Sequence, residues 1–279
     1  MSDAPSIVTL ELPSIPENLT LVRGMLGGVA ELLEMDPELL DDLKTAVSEA
    51  ANNVVMHAYD GEPGPLKVKL FVTGDGIEVL VRDEGVGMST LAPVEDRLQG
   101  VGMPVMQALA QRADFRRGER GGTEVRMLFP AERDGRSMFG SPVPAAPEDG
   151  WTERLSGDAV ISISPVTLLP SVLGRLARAL AATARFSLDR FSDVYLVTDS
   201  ISAHAVRAAT SQRMGFSLEA AIRRLELTIG PFEIGSTDAL VGDRGGSKSP
   251  LVLLSDELSS GPDGDGSELL RVVMIDHRQ

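Results

Sequence analysis

Glu49 and Asn53 lie four residues apart in the run Thr-Ala-Val-Ser-Glu-Ala-Ala-Asn-Asn-Val-Val-Met-His-Ala-Tyr over 45–59, which contains no Pro or Gly. On a helix that spacing stacks the two side chains on one face. A carboxylate beside a carboxamide suits proton abstraction next to a metal-bound phosphate. The first group takes the proton and the second offers a neutral oxygen to Mg²⁺. Taken alone, the same pair also describes an exposed polar stripe on an amphipathic helix.

Glycine-rich turns downstream decide between these readings. Arg-Asp-Glu-Gly-Val-Gly-Met over 82–88 follows two strand-like runs, 66–72 and 77–81. Asp83 at a strand end, with Gly85 and Gly87 after it, places a carboxylate above a backbone without side chains. A planar base could approach it closely and be read through an exocyclic amine. Gly100-Val101-Gly102-Met103 then opens a helical run from Pro104 to Gln111. Glycines leading into a helix expose unpaired N–H groups at the positive end of its dipole, where phosphate binds. Gly121-Gly122-Thr123 finally turns into a closing strand.

Single glycine pairs mark ordinary turns; four motifs in fixed order mark a site. The order resembles the Bergerat ATP-binding fold shared by gyrase, MutL, the large heat-shock chaperone and histidine kinases, the GHKL superfamily. It is more closely similar to the anti-sigma-factor serine kinases of bacterial partner switching, whose first box matches Val47-Ser48-Glu49-Ala50-x-x-Asn53-x-x-x-His57-Ala58-Tyr59. The resemblance covers about residues 5–131. It implies Glu49 as general base and Asn53 as the Mg²⁺ ligand. It further implies Asp83 as acceptor of the adenine amine with Thr123 in support, Gly85 and Gly87 making room, and Gly100 and Gly102 donating to the phosphates of ATP. The partners it implies are a sigma factor and an antagonist protein that becomes phosphorylated. One departure stands out. The family carries an Arg just before or inside the second glycine pair, whereas this chain reads Leu98-Gln99-Gly100-Val101-Gly102, with Arg97 as the nearest cation. Losing a cation that clamps the transition state costs ~10³-fold or more in rate.

The elements that position these residues follow from hydrophobic period. Ile7–Leu12 alternates as a strand. A helix from Pro16 carries Leu19, Val22, Leu26, Val29 and Leu33, and the next, from Pro37, carries Leu39, Leu43, Val47, Ala50 and Val54. Two strands, a flexible connection over about 89–99, a helix and a closing hairpin complete a two-layer α/β sandwich over residues 1–133. Residues 134–154, dense in Gly, Pro and Ser, read as a linker, with Trp151 packing between the halves. Residues 155–279 read as a degenerate copy of the first domain. In that register Asp199 takes the place of Glu49 and Ala203 that of Asn53, with no counterpart of the glycine motifs. His204 reads as a helix residue satisfied locally; His57, one turn beyond Asn53, is a better candidate for a catalytic role, and even there a structural hydrogen bond is favoured over proton transfer. The Gly/Asp-rich run at 261–266 reads as a turn and lacks the acidic ligand spacing of a calcium loop.

Composition bounds the remaining possibilities. The chain has 279 residues, 43% hydrophobic and 24% charged, which suits two globular domains. Cysteine is absent, so disulfides and thiolate metal sites are excluded, and no secretory signal is visible; both fit a cytoplasmic protein. A formal net charge of −15 argues against nucleic-acid and anionic-membrane partners. The arginines at 112, 116, 117 and 120 read as a solvated surface cluster. Two functions remain open: a serine kinase acting on an antagonist protein, and an ATP-responsive binding module with little phosphotransfer. A second copy would let the chain exist as a monomer with an internal pseudo-dimer; the alternative is the family's homodimer.

Overall fold

In the computed structural model of the chain, which describes residues 4–87, 102–118, 121–141, 144–241, 249–264 and 266–278, apolar residues of successive strands line up in rows across a sheet. The described residues fall into two units, Met1–Val143 and Pro144–Gln279. In the first unit β1 (Val8–Pro13) leads through a short 3₁₀ turn to α1 (Leu19–Leu32) and α2 (Pro37–His57). Then come β2 (Pro65–Val72), β3 (Gly76–Asp83), α3 (Gly102–Leu109), β4 (Arg112–Arg117) and β5 (Thr123–Pro130). Neighbours run antiparallel in the order β1-β2-β3-β5-β4. One row joins Leu10, Val68, Val81 and Val125, and the next joins Val8, Leu70, Val79 and Met127. All eight are buried, and each contributes roughly 1.5–3 kcal/mol on leaving water.

The row Leu12, Leu66 and Asp83 ends this apolar face. Asp83 therefore points to the core side of the sheet although it is charged. Thr123, two residues before Val125 on β5, shares that face. Over the sheet, α2 begins after Asp36, whose carboxylate accepts from the Glu38 N–H at 2.9 Å, with Pro37 in the first turn. The predicted stripe of α2, Leu39, Leu43, Val47, Ala50 and Val54, is buried throughout. In α1 the buried set also takes in Leu21 and Met25, and Leu19 is only half-buried.

The second unit repeats this order of elements. It runs β8 (Ala159–Ile163), α4 (Leu169–Thr183), α5 (Leu188–Ala208), β9 (Met214–Ala221) and β10 (Arg224–Phe232), then α6 (Asp238–Val241), α7 (Pro250–Leu254), β11 (Glu257–Pro262) and β12 (Glu268–Ile275). Its strands are ordered β8-β9-β10-β12-β11, again antiparallel, the counterpart of the first unit's order strand for strand. The helices α2 and α5 are each 21 residues long.

Three expectations change. First, the segment assigned to a linker is partly built into the units. It contains the second strand of a short hairpin, β6 (Glu132–Arg133) and β7 (Arg136–Ser137), after which Met138 and Phe139 are buried. The Asp36 N–H donates to the Met138 carbonyl at 2.8 Å, and the Gly140 N–H donates to the Leu33 carbonyl at 2.7 Å. Second, Trp151 packs inside the second unit. Its ring lies against Gly215 and Gly230, which face each other across β9 and β10, and its Nε1–H donates to Asp263 at 2.6 Å. A side chain at either glycine would collide with the ring. Third, α5 starts after Ser187 as α2 starts after Asp36, so Ser200 and His204, not Asp199 and Ala203, occupy the places of Glu49 and Asn53. One residue turns a helix by about 100°: Ala203 faces out, and His204 is buried.

Candidate functional site

Glu49 and Asn53 flank the buried stripe of α2, each half-exposed. What lies above them is the start of α3. A Cβ built on Gly102, the first residue of α3, would stand 3.0 Å from Glu49 Oε2, 3.3 Å from Asn53 Nδ2 and 3.5 Å from Asn53 Oδ1. Glycine at 102 thus keeps a cradle open between a carboxylate, a carboxamide and the positive end of a helix. Those groups suit a phosphate and its divalent cation.

A second cluster forms where β3 ends. Asp83 is only 2% exposed, and its Oδ1 accepts from the Gly85 N–H at 2.9 Å. Among the described residues its other oxygen makes no hydrogen bond and remains available to a ligand N–H. Gly85 passes so close to α2 that a Cβ there would sit 1.9 Å from the Ala58 carbonyl oxygen, and the Val86 N–H donates to that same oxygen at 2.9 Å. Gly87 has φ of +73°, and a Cβ on it would meet the Gly122 carbonyl oxygen at 2.9 Å. Thr123, beginning β5, is half-buried beside this turn.

Gly122 belongs to the site although it first read as part of a turn. With φ of +69°, its Cβ would fall 2.1 Å from the Asp83 carbonyl oxygen and 2.7 Å from Asp83 Oδ1. The Gly-Gly pair at 121–122 was the available signal. Another addition is Tyr59, at the end of the motif helix. Its hydroxyl donates to the Pro65 carbonyl at 2.7 Å and accepts from the Glu84 N–H at 2.9 Å. Burial raises the phenol above its ordinary value, the Asp83 and Glu84 charges add to the rise, and the Glu84 N–H opposes it.

The two clusters are spaced along one helix. Ala58, against which Gly85 packs, lies five residues past Asn53, roughly 7–8 Å along the axis. That interval suits a ligand with a base at one end and phosphates at the other. The glycine cradles at 102 and 122 and the open Asp83 oxygen fit Mg·ATP on steric and chemical grounds. His57 is exposed in the last turn of α2. Gly100 and Arg97 lie outside the described residues.

Residues 12–129 match the family model of the histidine kinase-like ATPase domain. The chain is 34% identical over 130 residues to the serine-protein kinase RsbW of Bacillus pumilus, covering 41% of this chain and 80% of that protein. It is 30% identical over 131 residues to the anti-sigma F factor of Thermoanaerobacter sp., covering 44% of this chain and 92% of that one. Against the serine-protein kinase RsbW of Listeria monocytogenes it is 40% identical over 96 residues, 34% of this chain and 59% of the other. The chain belongs to the anti-sigma-factor serine kinase family of GHKL ATPases. The family match ends at residue 129, so the second unit lies outside it.

The second unit has the frame without these site residues. At the end of β10, where β3 ends in Asp83, stand the buried Pro231 and then Phe232, fully buried. Its ring centroid lies 5.7 Å from that of His204. His204, expected to be satisfied locally, has a buried Nε2 without a hydrogen-bond partner among the described residues. Burial, helped by the Arg207 charge, lowers its pKa and favours the neutral ring. No helix among the described residues is long and apolar enough to cross a membrane.

Proposed function

We propose that this protein is an ATP-dependent serine-protein kinase of the anti-sigma-factor type. Its first unit would phosphorylate an antagonist protein and bind a sigma factor. The carrying observation is Gly102 placed over Glu49 and Asn53, nine and five residues before Ala58, against which the turn after Asp83 packs. In this reading Glu49 takes the proton from the attacking serine hydroxyl, at an oxygen 3.0 Å from the Gly102 Cβ position. Asn53 would hold Mg²⁺ through its carboxamide oxygen. Asp83 accepts from the adenine amine while the Gly85 N–H fixes its other oxygen. Gly122 and Gly87 keep side chains out of the base slot, and Thr123 supports the same contact. Mg²⁺ and ATP would supply the transferable phosphoryl group and the neutralisation of its charge.

The second unit, in this reading, is a duplicated domain that has lost its site. Ser200 and His204 stand where Glu49 and Asn53 would be needed, Pro231 and Phe232 end β10 where Asp83 ends β3, and the matching strand order supports the duplication. Its role would be structural or partner-facing, giving the chain an internal pseudo-dimer. The departure at Leu98-Gln99 favours a second reading, in which ATP binding controls partner capture with little turnover. Incubating the full chain with labelled ATP, Mg²⁺ and small antagonist proteins from the same genome separates the two. The kinase reading expects label on an antagonist serine, and Glu49→Gln should abolish it while ATP binding persists. Equal transfer by Glu49→Gln and wild type would remove Glu49 from the mechanism; no transfer with intact ATP binding would select the second reading.

A further inference from the structure

We propose that Tyr59 is a positioning residue that fixes the turn presenting Asp83 at the base end of the site. The inference rests on the nucleotide reading above and assigns a role to the last residue of the motif helix segment. Asp83 can present a fixed oxygen only if the turn after it is fixed, because its Oδ1 is held by the Gly85 N–H. That turn is held from one side by α2. The Ala58 carbonyl accepts from Val86, and the Tyr59 hydroxyl accepts from Glu84 while donating to the first residue of β2, Pro65. A phenolic hydroxyl is both donor and acceptor, so this one group joins the C-terminal end of α2, the start of β2 and the turn after β3.

Gly64 shows how closely the ring is seated. A Cβ there would lie 2.1 Å from Tyr59 Cε1. The ring is therefore placed by backbone contact on one side, and only its hydroxyl reaches the turn. Glu84 and Pro65 are exposed, so water can replace the hydroxyl in solvating them. Removing the hydroxyl should thus leave the fold intact while loosening the aim of Asp83. Both hydrogen bonds of the Tyr59 hydroxyl go to Pro65 and Glu84, and neither reaches Glu49, Asn53 or Gly102, so the phosphate end should keep its geometry.

The test is Tyr59→Phe in the full chain, with Mg·ATP and Mg·GTP titrated against both proteins. GTP offers the same phosphates but carries an acceptor oxygen where adenine has its donor amine, so in the adenine orientation it binds without the C6 hydrogen bond to Asp83. The expected result is ATP affinity weaker by roughly 3- to 10-fold, the scale of one hydrogen bond, with GTP affinity unchanged and a smaller ATP preference. Hydrogen exchange at the Glu84 amide should also quicken. Unchanged ATP preference would overturn the proposal, whether both affinities hold or both fall together. Wild-type protein that binds no ATP would instead overturn the nucleotide reading.

Discussion

Gly102→Ala separates occlusion of the site from damage to the fold. The added methyl would stand 3.0 Å from Glu49 Oε2 and 3.3 Å from Asn53 Nδ2, tighter than ordinary contact, but both atoms end movable side chains. Gly102 begins an eight-residue helix, and its φ is not in the left-handed region. Replacing Gly by Ala in a helix favours the helix by up to about 1 kcal/mol, and less at its first position. The melting temperature should therefore hold or rise, by at most about 2–4 °C. The methyl, however, fills the space through which the first N–H groups of α3 would reach a phosphate. A hydrogen bond to a charged group contributes about 1.5–3 kcal/mol, so its loss predicts ATP binding weaker by roughly 10- to 100-fold. Isothermal titration of Mg·ATP beside a thermal melt measures both quantities. Unchanged ATP affinity would refute the placement of the phosphates at Gly102. A matching collapse of affinity and melting temperature would show that the substitution breaks the fold instead.

Other outcomes follow from the same geometry. Asp83→Asn can still accept from Gly85 but offers a donor as well as an acceptor, so ATP affinity should drop on the order of tenfold or more with little change in melting; calorimetry checks both. His204 is held neutral, its folded pKa depressed below the unfolded value of about 6.5. Its contribution to stability is complete above about pH 6.5 and declines as pH falls below that value, where the unfolded chain takes up the proton first. Melts of wild type and His204→Gln from pH 7.5 to 5 should diverge in slope, and parallel slopes would show that His204 titrates normally.

How much of this could be read in the sequence depended on the range of the interaction. The α2 stripe and the Glu49/Asn53 pair were legible because a helix writes its faces at fixed short spacing. The Asp83 turn was legible because glycines mark where backbones approach. Gly122 reads only as a turn in the sequence, since nothing local says that the Asp83 carboxylate lies against it. Trp151 was misplaced for the same reason. Its seat is made by Gly215 and Gly230, which meet only through strand pairing, and its acceptor, Asp263, is more than a hundred residues away. Similar residue types align α5 with α2 one residue out of phase. The caps Asp36 and Ser187 set the phase of each helix, and a one-residue slip exchanges an exposed Ala203 for a buried His204. The short helices α6 and α7, of four and five residues, are below the length at which a periodic pattern becomes visible.

The number of nucleotides bound per chain tests both the first unit's site and the second unit's lack of one most directly. Stoichiometric titration of the full-length protein with Mg·ATP should give one site, with its affinity reduced by Asp83→Asn in the first unit. Two sites would contradict the reading of Ser200, His204 and Phe232 as a lost site, and no binding at all would contradict the assignment of Glu49, Asn53, Asp83 and Gly102 to ATP.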